Sequence, residues 1–344
     1  MKKYAINGSP LANRTTGIER YMLEIIKRID KKIDSEHIKL YLLCPDNTEI
    51  KLPRLQNIEV VRLPSKGSKI CIGKLRSYLK SNNICYCSMS GNLCIQKGAI
   101  ICTHDIRPLI YKKYDPLMFR IKCIINFVSS KLRAGKIVTV SETSKKKIME
   151  YLKVSPEKIT VISNGWEHMK DISEDENFWG KHPNIKKGEY YYSLGSQAPH
   201  KNFIWVVENA KRHPENKYVV AGKVWENSSD TVMKEQNIIY LGYVTDEENK
   251  TLMKHCKAFV FPSKYEGFGI PPLEALSCGA KLFVANTSCL PEIFKDVAVM
   301  FDPDDYSFSF EQDRKISDKK IQEVLEKYSW ERAAIQWIDL FEES

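Results

Sequence analysis

The chain has 344 residues, 43% of them apolar and 28% charged, which is more than one hydrophobic core usually serves and points to two domains. No run of 18 apolar residues occurs, which excludes a helical membrane span, and the N-terminal MKKYAINGSP lacks the apolar stretch of a signal peptide, so a cytoplasmic protein is expected. The net charge of +10 is unevenly divided: residues 1–170 carry 32 Lys and Arg against 14 Asp and Glu (+18), and residues 171–344 carry 21 against 29 (−8).

From the N-terminus, residues 4–7 predict a strand, 8–17 a loop and 18–29 an amphipathic helix with Tyr21, Ile25 and Ile29 on one face. Strands recur at 38–43, 58–63, 99–103 and 137–140, with helices at 117–132 and 144–152 among them. This alternation predicts a parallel, doubly wound sheet. The helical stretch 117–133 carries two apolar rows, one of Leu117, Ile121, Ile124, Ile125, Val128 and Leu132 and a second of Phe119, Cys123 and Phe127. One row is expected to face the sheet. The second, with Arg120, Lys122, Lys131 and Arg133 around it, meets either a neighbouring helix or a membrane interface.

Residues 171–187 are polar and acidic and contain Gly180 and Pro183, so they read as an interdomain linker. A second strand series follows at 190–194, 218–221, 238–241, 258–261 and 281–285. Residues 328–341 predict a terminal helix with Trp330, Ala334 and Trp337 near one face, a pattern that packs rather than hangs free. Seven of the ten cysteines lie between Cys44 and Cys123, and the closest pair, Cys85 and Cys87, fits neither a metal knuckle nor a redox motif, so buried free thiols are expected.

The densest chemical signal is residues 262–279, PSKYEGFGIPPLEALSCG. An apolar strand ends at Pro262, Gly267 and Gly269 let the backbone turn close to a ligand, and Pro271 and Pro272 suit the first turn of a helix. Such a strand, turn and helix aims free N–H groups at an anion, commonly a phosphate. Glu266 falls at the strand end and Glu274 within the helix, where a carboxylate can accept two bonds from a ribose diol.

With seven residues between Glu266 and Glu274, this segment resembles the retaining glycosyltransferases of the GT-B fold, glycosyltransferase family 4 among the group 1 glycosyl transferases, of the kind that builds bacterial surface polysaccharide. The resemblance extends to Asn164-Gly165, to the YSWERAAIQWIDLF ending and to nearly the whole chain. It implies an α/β protein of two doubly wound Rossmann-like domains facing a central cleft: residues 1–170 take the acceptor, 171–187 link, 188–327 hold the nucleotide sugar and 328–344 pack back on the first domain. Glu266 is then the group near the reacting carbon, and Glu274 holds the ribose. The backbone of Gly267, Phe268, Gly269 and Ile270 faces the leaving group.

The same resemblance gives Lys201, in YYYSLGSQAPHKN, the leaving diphosphate, with Gly195 and His200 beside it; Ser196 stands where many members have arginine. Read from residues alone, Lys201 is either that cation or a solvated lysine, although cations are disfavoured at helix starts without an anion. Gly17 opens the first helix where members bring amides to the donor phosphate, and Arg14 and Arg20 flank it as acceptor or phosphate candidates. His104 follows a strand, where doubly wound sheets bind ligands, and is implied to meet a sugar hydroxyl; Asp105 reads as a local cap. The stretches from Val219 and Tyr240 are implied to border the nucleobase.

The family neutralises the diphosphate without a metal, so no metal or other cofactor is expected, and 302–305 (DPDD) reads as a solvated loop. The expected reaction moves a sugar from a nucleotide diphosphate donor to an acceptor hydroxyl by front-face attack, the leaving phosphate taking the acceptor proton. The acceptor is a glycan or lipid-linked glycan of capsule, O-antigen or exopolysaccharide, and the basic half suits an anionic inner-membrane surface. A sugar-nucleotide epimerase of the same architecture is the nearest rival. A dehydrogenase lacks its G-x-G-x-x-G. A nucleic-acid-binding protein would explain the +18 half, but no helix-turn-helix, zinc-finger or aromatic RNA-binding motif accompanies it.

Overall fold

Each short apolar run ends in a glycine, a proline or a polar residue, too soon for a helix and long enough for a buried strand. In the computed structural model, which describes residues 1–13, 16–50, 52–195, 198–222, 235–311 and 314–344, these runs form two parallel sheets. The chain divides into one unit of Met1–Asn164 with Ser329–Ser344 and a second of Gly165–Tyr328. Among the described residues no helix is long and apolar enough to cross a membrane.

The first unit holds strands β1 (Lys2–Asn7), β2 (Ile38–Pro45), β3 (Ile58–Leu63), β4 (Cys85–Ser88), β5 (Ile100–Cys102), β6 (Lys136–Thr139) and β7 (Ile159–Val161), in the order β3-β2-β1-β4-β5-β6-β7. Its principal helices are α1 (Gly17–Lys32), α2 (Ile72–Ser81), α3 (Leu117–Arg133) and α4 (Glu142–Leu152). Strands β4 and β7 escape the sequence reading: CYCS and ITV are four and three residues long, too short to show a period.

In the second unit the strands are β8 (Tyr190–Leu194), β9 (Lys217–Ala221), β10 (Ile238–Gly242), β11 (Ala258–Phe261), β12 (Leu282–Ala285) and β13 (Val299–Phe301), in the order β10-β9-β8-β11-β12-β13. Helices α5 (His168–Asp171), α6 (Phe203–Arg212) and α7 (Ile270–Ser277) accompany them. In both sheets the chain winds outward from a central strand and then returns to that strand's other side. The switch points lie between β1 and β4 and between β8 and β11, and such points open a crevice at the strands' carboxyl ends.

The expected linker at 171–187 is instead part of the second unit. Its polar composition hides its anchors: Phe178 is fully buried and Ile185 nearly so, the Asp175 amide donates to Thr251 Oγ1 at 2.8 Å, and Glu174 pairs with His255 at 2.7 Å. The chain passes from the first unit to the second at Asn164–Gly165 and returns at Tyr328–Ser329.

The last helix, α8 (Trp330–Glu343), packs on α1 in the first unit. Trp337 is wholly buried and donates its Nε1–H to the Tyr21 hydroxyl at 2.8 Å, Tyr4 donates to the Phe341 carbonyl at 2.8 Å, and Glu331 pairs with Arg28 and Lys32 at 3.1 and 2.9 Å. All ten cysteines are free, and Cys71 is the exposed one. Burial raises the thiols of Cys44, Cys85 and Cys278 to about 11.

Trp337→Ala should destabilise the first unit by about 3–5 kcal/mol through the cavity it leaves. Trp337→Phe, which keeps most of the ring and loses the N–H, should cost about 1–2 kcal/mol. Urea unfolding of the two variants checks both values.

Candidate functional site

In the second unit the loops after β8 and β11, the two strands flanking the switch point, bring Lys201 and Glu266 together. Lys201 Nζ lies 2.7 Å from Glu266 Oε1, with the lysine and glutamate side chains 25% and 13% exposed. The Lys201 ammonium also sits 5.8 Å from the Phe261 ring centroid. Gly195 lies against the lysine stem: a Cβ there would meet Lys201 carbons at 3.9 Å.

Neighbouring groups fix both loops. Asn202, buried and left-handed at φ 56°, donates from Nδ2 to the carbonyls of Pro262 and Pro303 at 3.1 and 2.8 Å. The His200 carbonyl accepts from the Lys264 amide at 2.7 Å and from Ser263 Oγ at 3.1 Å. Ser288 Oγ accepts from the Glu266 amide at 3.0 Å and donates to the Glu266 carbonyl at 2.7 Å. Cys289 Sγ lies 3.2 Å from the Glu266 and Phe268 carbonyls, and burial, then the nearby Glu266 charge, pushes that thiol well above its ordinary range. Gly269 sits at φ 109°, and a Cβ there would press on Leu290 at 2.9 Å and Phe294 at 3.1 Å, so glycine is required ahead of Ile270, the first residue of α7. Phe268 is buried edge-on to Tyr328 at 5.4 Å.

Glu274 lies on the buried side of α7 and is 8% exposed. Its Oε1 is 2.8 Å from Nε2 of His168 in α5, itself 3% exposed. Sequence reading did not reach His168, because 106 residues separate the partners. Gly222, in the stretch from Val219, adopts φ 135° and approaches the Gly195 carbonyl so closely that a Cβ would overlap it.

In the first unit Gly17 opens α1 and Arg20 lies half-buried on that helix. The Thr16 amide already donates to Glu19 Oε2 at 3.0 Å, so a carboxylate stands at this helix start. Arg14 and Ser196 lie outside the described residues, as does the stretch following Gly222. His104 follows β5, its Nε2 2.8 Å from the Met89 carbonyl and its ring edge-on to Tyr21 at 4.9 Å. A carbonyl only accepts, so Nε2 carries the proton and Nδ1 is the acceptor nitrogen. Burial lowers the His104 pKa from its ordinary value, against opposing pulls from Met89, Asp105 and Glu19.

At the first sheet's switch point a cavity of about 260 Å³ is lined by Asn7, Ser9, Lys69, Tyr86, Asn92 and Asn126. Asn7 Nδ2 donates to the Tyr86 hydroxyl at 3.0 Å, and its Oδ1 accepts from the Ser9 amide at 3.0 Å. Carboxamides, hydroxyls and two lysines, Lys69 and Lys122, set among apolar side chains such as Ile70, Ile72 and Leu93, form a lining suited to a polyhydroxylated ligand. Among the described residues no group of three or more His, Cys, Asp or Glu is arranged to hold a metal ion, and Lys264 pairs with Asp304 of the acidic run.

Residues 174–333, which include Lys201, Glu266 and Glu274, match the glycosyl transferases group 1 family. The matched region marks the chain as a glycosyltransferase. It resembles the O-antigen chain mannosyltransferase B of Escherichia coli, with 25% identity over 383 residues, 96% of this chain and 97% of that protein. With the O-antigen chain mannosyltransferase RfbU of Salmonella typhimurium it shares 30% identity over 242 residues, 67% of this chain and 64% of that one. Among solved structures, Anabaena Alr3699/HepE in complex with UDP and glucose has the same fold, with a TM-score of 0.69 at 13% identity over 100% of both chains. Glycosyl transfer calls for a nucleotide-sugar donor and an acceptor, and the glycosyltransferase architecture here is GT-B.

His104 supplies a pH test of this glycosyltransferase. Its folded pKa is depressed, so the stability it contributes is present above the unfolded value of about 6.5 and is lost as pH falls through the lower folded value. Histidine ring NMR should show His104 titrating below 6.5. The acid-side loss of stability should be smaller in His104→Gln than in the unmodified enzyme.

Proposed function

We propose that this chain is a retaining hexosyltransferase that moves a sugar from a nucleotide diphosphate donor to a glycan or lipid-linked acceptor in surface-polysaccharide assembly. The observation that carries the reading is the Lys201–Glu266 pair at 2.7 Å at the second sheet's switch point. There a cation for the leaving diphosphate and a carboxylate for the transferred sugar share one location. Lys201, helped by His200 and the Gly267 to Ile270 backbone, takes the diphosphate charge as it develops, and electrostatic help of this kind grows in the transition state. Once the diphosphate engages the lysine, the Glu266 carboxylate turns to the sugar.

Glu274 is assigned to the nucleotide ribose, with the bond from His168 setting its orientation. On the first unit, His104 is assigned to a sugar hydroxyl through Nδ1, Gly17 to the donor phosphate, and the 260 Å³ cavity to acceptor hydroxyls. The diphosphate is met without a metal. The leaving phosphate accepts the acceptor proton, so no separate base is required. The names of the two curated relatives favour mannose as the transferred sugar, and the UDP of the structural neighbour keeps uridine donors in the test. We assign the enzyme to the inner face of the membrane as a peripheral protein.

Screening UDP-, GDP- and dTDP-sugars for turnover identifies the donor. With that donor, Glu266→Ala should lower kcat a hundredfold or more, about 3 kcal/mol of transition-state stabilisation, with nucleotide affinity nearly unchanged. Glu274→Ala should instead weaken nucleotide binding, and excess EDTA should leave the rate nearly intact. The opposite pattern in the two variants would reverse the assignments, and loss in EDTA restored by magnesium or manganese would rule out the metal-free reading.

A further inference from the structure

Helix α3 turns the wrong way for an ordinary surface helix. Cys123 and Phe127 pack toward the core of the first unit, while Leu117, Met118, Ile121, Ile125, Val128 and Leu132 are exposed by 64, 75, 41, 54, 43 and 71%. At 3.6 residues per turn these six fall within about 100° of the helix circumference and form one continuous strip. The row with the longer apolar run is therefore the outward one; of the shorter row Cys123 and Phe127 hold the helix to the core, while Phe119 is itself 43% exposed.

The strip has charged borders. Arg120 and Lys131 follow one edge and Lys122 and Arg133 the other, and no acid occurs anywhere in α3. Long cationic side chains on both flanks of an apolar strip can bury their stems with it while their heads reach outward to phosphate. Arg133 also lines a cavity of about 510 Å³ with Arg76, Lys80 and Lys97, and no carboxylate is among the lining residues. Lys122 lines the 260 Å³ cavity to which acceptor hydroxyls are assigned.

We propose that α3 lies in the surface of an anionic bilayer, its strip among the acyl chains and its cations, with the Arg76, Lys80, Lys97 and Arg133 cavity, on lipid phosphates. Charge selects this occupant over a second copy of the chain. A two-fold contact through α3 would set the strip on itself and bring the same four cations face to face without a carboxylate from the helix to offset them. Anionic lipid supplies both the apolar partner and the opposite charge. The proposal deepens the surface-polysaccharide reading: a lipid-linked acceptor would arrive beside Lys122 and meet the polar cavity directly.

The test is co-sedimentation of the full chain with vesicles of phosphatidylglycerol and phosphatidylethanolamine against vesicles of phosphatidylcholine. Binding should be at least tenfold stronger to the anionic vesicles and should weaken with salt. Ile125→Glu with Leu132→Glu, both at exposed positions, should abolish it, while Val60→Glu, at an exposed apolar position outside the helix, should leave it unchanged. Donor hydrolysis by the double variant should match the unmodified enzyme, which separates failure of this surface from failure of the glycosyltransferase site. Equal binding to both vesicle types, no binding to either, or a dimer in solution that the double variant dissociates would overturn the proposal.

Discussion

One carboxamide holds three pieces of chain at the candidate site. Asn202 Nδ2 donates to Pro262, where the Glu266 loop begins, and to Pro303 after the last strand, while its own backbone ends the turn that carries Lys201. The left-handed conformation at φ 56° is one that asparagine tolerates better than most side chains. Removing the carboxamide would leave two buried carbonyls short of a donor, a loss of about 1–3 kcal/mol for each. The spacing of Lys201 and Glu266 therefore depends on a residue with no chemical role of its own.

With that base fixed, both glutamates of the segment are partnered before any ligand arrives. A mostly buried lysine would be costly if left without an anion, and Glu266 supplies one. The imidazole of His168, from the opening residues of the second unit, is the hydrogen-bond partner of Glu274. Lys201 and Glu266 thus hold each other in a formed ion pair, and any anion that engages the lysine does so by exchange with the glutamate.

Some of this was legible from the chain and some was not, for physical reasons. The strand, turn and helix around Glu266 could be read because its parts are contiguous and each glycine or proline has a local meaning; the same holds for the turn at Lys201. His168 and Asn202 act across 106 and about 60 or 100 residues, distances over which sequence carries no spacing rule. The 171–187 segment was misread because composition reports average polarity, whereas two buried side chains, Phe178 and Ile185, were enough to anchor it. For α3, periodicity revealed two apolar rows but could not say which of them the sheet would take.

The exposed thiol of Cys71 has a practical consequence. The residues on either side of it, Ile70 and Ile72, both line the 260 Å³ cavity of the first unit. The other nine cysteines are buried or half-buried, so an environment-sensitive maleimide dye is directed by access to Cys71. The natural sequence thus carries a fluorescence reporter position at the rim of the cavity, where the arrival of a candidate acceptor can be followed as a change in emission without engineering a new attachment point.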